Sequence, residues 1–212
     1  MTTAASTLLA LALVAAVVDW VAVASGRRHL EWVAKPATLA LLVGVAVTLH
    51  PEYGATRAWF VAGLVASLAG DVFLMLPRER FIEGLAAFFV GHVCYVVGFW
   101  FRPQHAGLLV VGLVVVAVGA ATLGRHIVRA VRAGDEPGLV GPVLAYLLVI
   151  SAMVASAIGS GDAWAMVGAL LFFASDGTLA WNKFVKPFKG GRLAVIVTYH
   201  LGQLGLVLSL LP

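Results

Sequence analysis

The sequence predicts an all-α integral membrane protein with eight transmembrane helices, on the basis of three observations. Of the 212 residues, 62% are hydrophobic and only 11% are charged, whereas soluble domains average about 25% charged residues. The apolar residues form long blocks separated by short polar breaks. Eight of these blocks reach the roughly 20 residues that span a hydrocarbon core. We therefore expect one transmembrane domain over residues 1–212, with no separate soluble domain.

The eight spans follow from the apolar blocks and from the helix-breaking residues between them. The gaps contain glycine or proline, as at Gly26, Pro51, Pro77 and Pro103. No lysine or arginine precedes the first block, which is longer than the core of a signal peptide, about 7–15 residues. We therefore expect it to be an uncleaved span. In chain order the predicted spans are 4–25, 31–50, 57–76, 81–101, 105–125, 139–158, 162–182 and 191–211.

The basic residues are concentrated in alternate gaps between the spans. Outside these gaps, Arg57 and Arg102 are the basic residues that lie between spans. Cytoplasmic loops of membrane proteins carry an excess of lysine and arginine. This asymmetry predicts that the four basic gaps face the cytoplasm and that both termini lie outside. The four gaps contain Arg27, Arg28, Arg78, Arg80, Arg125, Arg129, Arg132, Lys183, Lys186, Lys189 and Arg192.

The two halves of the chain resemble each other at three positions. The matched positions are Lys35-Pro36 with Gly141-Pro142, Asp71 with Asp176, and His92 with His200, at offsets of 106, 105 and 108 residues. Because four is an even number of spans, a repeat of four helices gives two halves of parallel topology. We predict such a repeat over about residues 1–104 and 105–212. Chance similarity between apolar segments of low diversity is the alternative.

Two aspartates, Asp71 and Asp176, lie inside apolar blocks and occupy matching places in the third and seventh spans. A carboxylate at the centre of a transmembrane helix costs about 2.5–3.5 kcal/mol on insertion scales, and such residues mark functional sites. Two aspartates at a similar depth predict a site with paired carboxylates, a general acid and a general base. A purely structural pair is the alternative.

Six further polar residues are candidates for binding a substrate. At 1.5 Å per residue, Asp71 and Asp176 lie roughly 9 Å from the ends of their spans that border the basic gaps. Lys35 shares that layer and the other candidates lie deeper, so we expect a polar cavity that opens toward the cytoplasm. A snorkelling lysine and histidines that only bridge helices are the alternatives. The candidates are Lys35, His92, Tyr95, Tyr199, His200 and Gln203.

The composition and the motifs argue against several other functions. The net charge of +4 does not indicate nucleic-acid binding, because the basic residues lie in short gaps between spans. The histidines do not follow the HExxH spacing of zinc hydrolases, and the sequence has no Cys/His cluster. It also lacks a GxSxG nucleophile motif and a glycine-rich dinucleotide loop. We therefore expect no metal and no organic cofactor, and the sequence leaves a homo-oligomer open.

Several short motifs follow one another in order from about residue 30 to the C-terminus. They are Lys35-Pro36, Gly70-Asp71-Val-Phe-Leu-Met-Leu76, Phe81-x-x-Gly84, Phe88-x-x-Gly91-His92-x-x-Tyr95, Ser175-Asp176 and Thr198-Tyr199-x-x-x-Gln203. In their order and spacing they resemble the YhhN-type lysoplasmalogenase family. The resemblance implies a multi-pass protein of a bacterial cell membrane. It also implies that the family's essential aspartates fall on Asp71 and Asp176, while His200 departs from a tyrosine common at that position.

By this resemblance, the expected activity is hydrolysis of the vinyl ether bond of a lysophospholipid, a lysoplasmalogen. The products would be a fatty aldehyde and glycerophosphocholine or glycerophosphoethanolamine. Vinyl ethers hydrolyse through an oxocarbenium ion, as glycosides do, which suits one protonated and one ionised carboxyl group. The sequence leaves open which aspartate is the acid. It also leaves open another enol ether or an epoxide as substrate, a transporter or proton-coupled carrier that uses the same carboxylates, and a non-catalytic lipid-binding protein.

Overall fold

The computed structural model describes residues 1–76 and 80–211, and within them all regular secondary structure is helical. The prediction of an all-α protein with eight transmembrane helices is confirmed. Pro77 and Arg78, which belong to the predicted third gap, lie outside the described residues. The helices are α1 (Thr3–Ala24), α2 (Arg28–Thr48), α3 (Gly54–Met75), α4 (Phe81–Trp100), α5 (Ala106–Ala133), α6 (Pro137–Gly159), α7 (Ala163–Val185) and α8 (Gly191–Leu208).

The helices pack as four antiparallel hairpins, α1–α2, α3–α4, α5–α6 and α7–α8. Between hairpins, α2 packs on α3, while α6 packs on both α4 and α7. The last helix, α8, closes the bundle by contacting α1, α2 and α3. The contact of α8 with α2 therefore has a counterpart in the contact of α4 with α6. A repeat of four helices would produce this pattern, although the repeat itself stays a prediction.

Small residues allow α3 and α4 to approach closely. A Cβ atom on Gly63 would lie 2.8 Å from the ring of Tyr95, and one on Gly91 would lie 3.0 Å from Ser67 Oγ. Gly63, Ser67 and Gly70 are buried, so this face of α3 points into the bundle. Asp71 lies on the same face and is therefore buried in the bundle rather than exposed to lipid.

The contact between α7 and α8 is closer still, because backbone meets backbone. A Cβ atom on Gly168 would lie 2.7 Å from the backbone nitrogen of Leu206 and 2.8 Å from the carbonyl oxygen of Gly202. Backbone atoms cannot rotate away as a side-chain end can. The three glycines Gly168, Gly202 and Gly205 thus determine how α7 and α8, which carry Asp176 and Tyr199, are placed relative to each other.

Gly168→Ala is expected to destabilise the protein by about 1–3 kcal/mol, the usual cost of overpacking a tight interface. The measurement is the thermal unfolding midpoint of the purified protein in detergent. Gly107→Ala in α5 is the matched control, because a Cβ atom there would meet no atom within 4 Å. Equal midpoints for the two variants would contradict the close contact between α7 and α8.

The fifth helix is longer than the sequence predicts, which corrects the boundary expected at residue 125. It passes through a π-helical turn at Ala120–Gly124 and continues to Ala133. The extension is amphipathic, with Ile127 and Val131 buried against the start of α6. This apolar face keeps the chain helical beyond the apolar block. Three arginines expected in a loop lie on the last turns of the helix instead, namely Arg125, Arg129 and Arg132.

Candidate functional site

A polar cavity of about 390 Å³ lies between α2, α3, α7 and α8, and both Asp71 and Asp176 line it. Ligand pockets in proteins commonly measure about 300–1,000 Å³. The rim of the cavity contains Arg28, Trp32, Asn182 and Arg192. These residues lie at the end of the bundle where the basic gaps are found. The cavity therefore opens toward the basic gaps, as the sequence predicts, while the assignment of that face to the cytoplasm stays a prediction.

Asp71 is buried and held by two side chains from other helices. Its exposed fraction is 1%, and its Oδ1 atom lies 2.9 Å from the Nζ atom of Lys35 in α2. The hydroxyl of Tyr199 in α8 donates a hydrogen bond of 2.8 Å to Oδ2. A carboxylate buried in this way is stabilised by a neighbouring ammonium group and by a hydrogen-bond donor. Lys35 and Tyr199, both candidates from the sequence, thus form the immediate surroundings of Asp71.

Lys35 does not snorkel to the membrane surface. Its helix begins at Arg28, three residues earlier than the sequence predicts, so Lys35 lies about two turns inside α2. Only 13% of its side chain is exposed. Pro36 follows within the helix and lacks the N–H group that would bond to the carbonyl of the residue four positions earlier. The carbonyl group of Trp32, at the rim of the cavity, therefore lacks this hydrogen bond within the helix.

Asp176 contacts a tyrosine and a histidine rather than a lysine. The hydroxyl of Tyr146 in α6 donates a short hydrogen bond to Oδ2 of Asp176. His92 Nε2 lies 3.3 Å from the same oxygen and 2.9 Å from the Tyr146 hydroxyl. Oδ1 has no hydrogen bond to any residue that the structure describes. Asp176 is therefore oriented through one oxygen, while 14% of its side chain stays exposed in the cavity.

The two aspartates are held in equivalent ways by the two halves of the chain. Asp71 contacts α2 of its own half through Lys35 and α8 of the other half through Tyr199. Asp176 contacts α6 of its own half through Tyr146 and α4 of the other half through His92. Neither half can therefore build a complete carboxylate site alone. The site as a whole requires the intact bundle.

Tyr95 and Gln203 lie behind the wall of the polar cavity. The Tyr95 hydroxyl donates a 2.6 Å hydrogen bond to Gln203 Oε1, and both side chains are fully buried. Gln203 follows Tyr199 by one turn of α8. The pair joins α4 to α8 beneath the aspartate layer, which is the depth that the sequence predicts. Contact with a substrate stays a prediction for both residues, since neither lines the cavity.

His200 is separated from the aspartate pair. Its Nδ1 atom accepts a 3.2 Å hydrogen bond from Trp20 Nε1 in α1, and its Nε2 atom lies 3.9 Å from Oδ2 of the buried Asp19. The physical reason is angular, because neighbouring residues of an α-helix point about 100° apart. Tyr199 faces the cavity, so the next residue faces α1. His200 is not among the residues that line the polar cavity, and contact with a substrate stays a prediction for this residue.

Sequence reasoning missed two features of the site. Tyr146 contacts Asp176 directly, and the available signal is a single tyrosine in an apolar span, within the segment that aligns with Lys35-Pro36. At the rim, Arg192 of α8 donates hydrogen bonds of 2.8 and 2.9 Å to the two carboxylate oxygens of Glu31 in α2. Both charges lie near span ends, where charged residues are common and carry little information.

A second cavity, which is apolar, adjoins the polar one. It lies between α4, α5, α6 and α7. Leu74, Phe88 and Leu179 line both cavities, and so does Asp176. Asp71 lines the polar cavity alone. Asp176 therefore stands where a polar and an apolar space meet.

Histidine, cysteine and acidic side chains do not assemble a metal site in the part of the chain that the structure describes, where no group of three or more is suitably placed. The polar groups that line the two cavities include carboxyl, hydroxyl, ammonium and guanidinium groups, and the imidazole of His92 contacts Asp176. This set of groups is suited to proton transfer and to binding a charged head group.

Comparison with known proteins gives a consistent set of relatives. The model of the YhhN family matches residues 30–210. Lysoplasmalogenase TMEM86B from Homo sapiens is 36% identical over 188 residues, which cover 86% of this chain and 77% of that protein. Lysoplasmalogenase from Mycobacterium bovis is 32% identical over 154 residues, 70% of this chain and 58% of that protein. The uncharacterized membrane protein YhhN from Escherichia coli O157:H7 is 28% identical over 202 residues, 87% and 89% of the two chains. No solved structure matches this chain.

Proposed function

Because this chain belongs to the YhhN family, we propose that it is a lysoplasmalogenase, which hydrolyses the vinyl ether bond of lysoplasmalogens. The observation that carries the proposal is the position of two aspartates on one polar cavity, with an apolar cavity beside Asp176. A lysophospholipid has a charged head group and one hydrocarbon chain, and it requires both kinds of space. Its vinyl ether bond lies between the two parts.

The reaction requires a proton at carbon and a water molecule at the neighbouring carbon. The ether oxygen pushes electron density into the double bond, so the β-carbon accepts a proton and an oxocarbenium ion forms. Water then adds to the α-carbon and gives a hemiacetal. The hemiacetal breaks into a fatty aldehyde and the free hydroxyl of the glycerophospho head group. General acid–base catalysis by positioned side chains contributes about 10²–10⁴-fold to such steps.

The contacts of the two aspartates support a division of roles. Asp71 is the carboxylate of an ion pair with Lys35, which suits a general base that accepts a proton from water. Asp176 contacts Tyr146 and His92 instead of a lysine, and one of its oxygens has no hydrogen bond to a described residue, which suits a carboxylic acid that donates a proton. When the hemiacetal breaks, the proton on Asp71 goes to the leaving glycerol oxygen, and the hemiacetal hydroxyl returns a proton to Asp176.

The rim of the polar cavity suits a zwitterionic head group. Arg28 and Arg192 supply positive charge for the phosphate, and Glu31 supplies negative charge for the ammonium group of choline or ethanolamine. Lys35 is 13% exposed and paired with Asp71, whereas Arg192 is 59% exposed even though it is paired with Glu31, so the rim arginines are the more accessible phosphate ligands. The indole of Trp32 is 44% exposed at the same rim and offers a face to a quaternary ammonium group.

The purified protein in detergent micelles is expected to release fatty aldehyde from alkenyl-glycerophosphocholine and alkenyl-glycerophosphoethanolamine. Aldehyde is measured by coupled reduction, and the free head-group alcohol is measured in parallel. The matched alkyl-ether and acyl lysophospholipids serve as controls, because neither has a vinyl ether bond. A transporter would release no aldehyde in micelles. No release by folded protein from either alkenyl substrate would overturn the proposed function.

A further inference from the structure

His92 connects Asp176 to the interior of the bundle. It is fully buried in α4 and lines neither the polar nor the apolar cavity. One ring nitrogen, Nδ1, lies 3.3 Å from the sulfur of Met153 in α6. The other, Nε2, lies 2.9 Å from the hydroxyl of Tyr146 and 3.3 Å from Oδ2 of Asp176. These neighbours determine where the imidazole carries its protons.

Met153 determines the protonation of Nδ1. A thioether sulfur only accepts hydrogen bonds, and an imidazole nitrogen without a proton also only accepts them. If Nδ1 had no proton, two lone pairs would face each other at 3.3 Å. The ring of Phe172, whose centroid lies 4.7 Å from that of the imidazole, packs against His92 and opposes its rotation. Nδ1 therefore carries a hydrogen atom and donates it to the sulfur.

The hydrogen bonds around Nε2 require one proton more than a neutral histidine supplies. With its single ring proton on Nδ1, a neutral His92 has only an acceptor at Nε2. The contact between His92 and Tyr146 would then need the hydroxyl proton, which Tyr146 already donates to Asp176. An ionised carboxylate has no proton to add. One further proton is therefore needed, either on Nε2 of His92 or on Oδ2 of Asp176.

We propose that Asp176, Tyr146 and His92 share one proton, that this proton is the one delivered to the vinyl ether, and that Met153 keeps it there by fixing the imidazole tautomer. This inference rests on the proposed function. In the first form His92 is an imidazolium and Asp176 is a carboxylate. In the second form the Nε2 proton has moved to the Tyr146 oxygen and the hydroxyl proton has moved to Oδ2. A neutral imidazole and a carboxylic acid result.

The net charge of the three groups is the same in both forms. The first form contains an ion pair, with Nε2 of His92 and Oδ2 of Asp176 3.3 Å apart, and the second contains neutral groups, so neither leaves an unpaired buried charge. Asp176 lines both cavities, whereas His92 lines neither. The χ2 torsion of an aspartate is soft, so the carboxyl group turns its protonated oxygen toward the substrate. His92 and Met153 act through Asp176 and are positioning residues.

The first test locates the protons in ligand-free protein in lipid bilayers, by nitrogen NMR of isotope-labelled histidine and by infrared spectroscopy of carboxyl groups. The signals of His92 and Asp176 are assigned by their absence from His92→Gln and Asp176→Asn. We expect a protonated Nδ1, and protonated fractions of Nε2 and of Asp176 that add up to one proton. An Nδ1 without a proton overturns the inference. So does finding Nε2 and Asp176 both protonated or both without a proton.

The second test is Met153→Leu, which replaces the sulfur with a side chain of similar volume that accepts no hydrogen bond. The His92 proton is expected to move from Nδ1 to Nε2, where it serves Tyr146 without the further proton. The single-turnover rate of aldehyde release is expected to fall by about tenfold, less than the roughly 10²–10⁴-fold contribution of a general acid. A folded Met153→Leu protein with the wild-type rate and a protonated Nδ1 overturns the inference.

Met166→Leu in α7 is the matched control, because Met166 packs against the core and lines neither cavity. It is expected to leave the rate within about twofold of wild type and the His92 spectrum unchanged. If His92→Gln does not fold, the signal that moves in Met153→Leu but not in Met166→Leu identifies Nδ1 of His92.

The spectra need no substrate, so they separate this inference from the proposed function. Protein that shows the shared proton but releases no aldehyde contradicts the proposed function and leaves the arrangement of the protons standing. Protein that releases aldehyde while Nδ1 of His92 has no proton contradicts the inference alone.

Discussion

Asp176→Asn is expected to lower the rate of aldehyde release by about 10²–10⁴-fold, the contribution of a positioned general acid. The amide keeps the shape of the carboxyl group and its hydrogen bond from Tyr146, but it has no acidic proton to give to the β-carbon. The measurement is the single-turnover rate with an alkenyl-glycerophosphocholine, so that product release does not mask the chemical step. The dissociation constant of the matched alkyl ether is expected to change little.

The control for this variant is Asp135→Asn, which removes a carboxylate from an exposed position between α5 and α6. It is expected to leave the single-turnover rate within about twofold of wild type, because surface changes rarely have larger effects. Thermal unfolding in detergent verifies that both variants are folded. A folded Asp176→Asn protein with the wild-type rate would show that the proton comes from another group.

Lys35→Met is expected to destabilise the protein by about 3–5 kcal/mol, because it leaves the carboxylate of Asp71 buried without a partner. It is also expected to abolish aldehyde release, since an unpaired Asp71 takes up a proton and no longer acts as a base. Stability is measured from the midpoint of unfolding by detergent titration or by heat. Lys189→Met is the matched control, because that lysine is exposed in the loop before α8.

A double variant separates stability from chemistry. Lys35→Met combined with Asp71→Asn removes both charges, and replacing a complete buried ion pair is often neutral. We expect most of the lost stability to return while aldehyde release stays absent. If Lys35→Met alone is as stable as wild type, the contact of 2.9 Å between Lys35 and Asp71 has no energetic role and the assignment of Asp71 as the ionised partner fails.

The transmembrane helices could be predicted because each one is a local property of the chain. A block of roughly 20 apolar residues inserts wherever it occurs, and its backbone must form its own hydrogen bonds. The boundary error at α5 has the same origin. Arg125, Arg129 and Arg132 look like a loop in a one-dimensional hydropathy pattern, whereas the helix continues because Ile127 and Val131 bury its opposite face.

The sequence predicts how far along each helix the candidate site residues lie. It predicts only in part which way their side chains point. Asp71 and Asp176 stand out in sequence because carboxylates are rare in apolar blocks. The sequence places Lys35 in the aspartate layer and Tyr199 and His92 deeper, and the structure brings all three to the aspartates. Tyr146 escaped notice because a tyrosine in a membrane helix has many ordinary roles.

The sequence by itself determined the number of spans, the layer that contains the aspartates and the end of the bundle toward which their cavity opens. These properties depend on the order of residues and on a rise of 1.5 Å per residue, so they can be counted along the chain. Only the tertiary structure decided that Tyr199 faces Asp71 while His200 faces α1, and that Asp176 stands between a polar and an apolar cavity. These properties depend on which helices pack together and at what rotation, and close contacts between distant segments, such as Gly168 with Gly202, determine both.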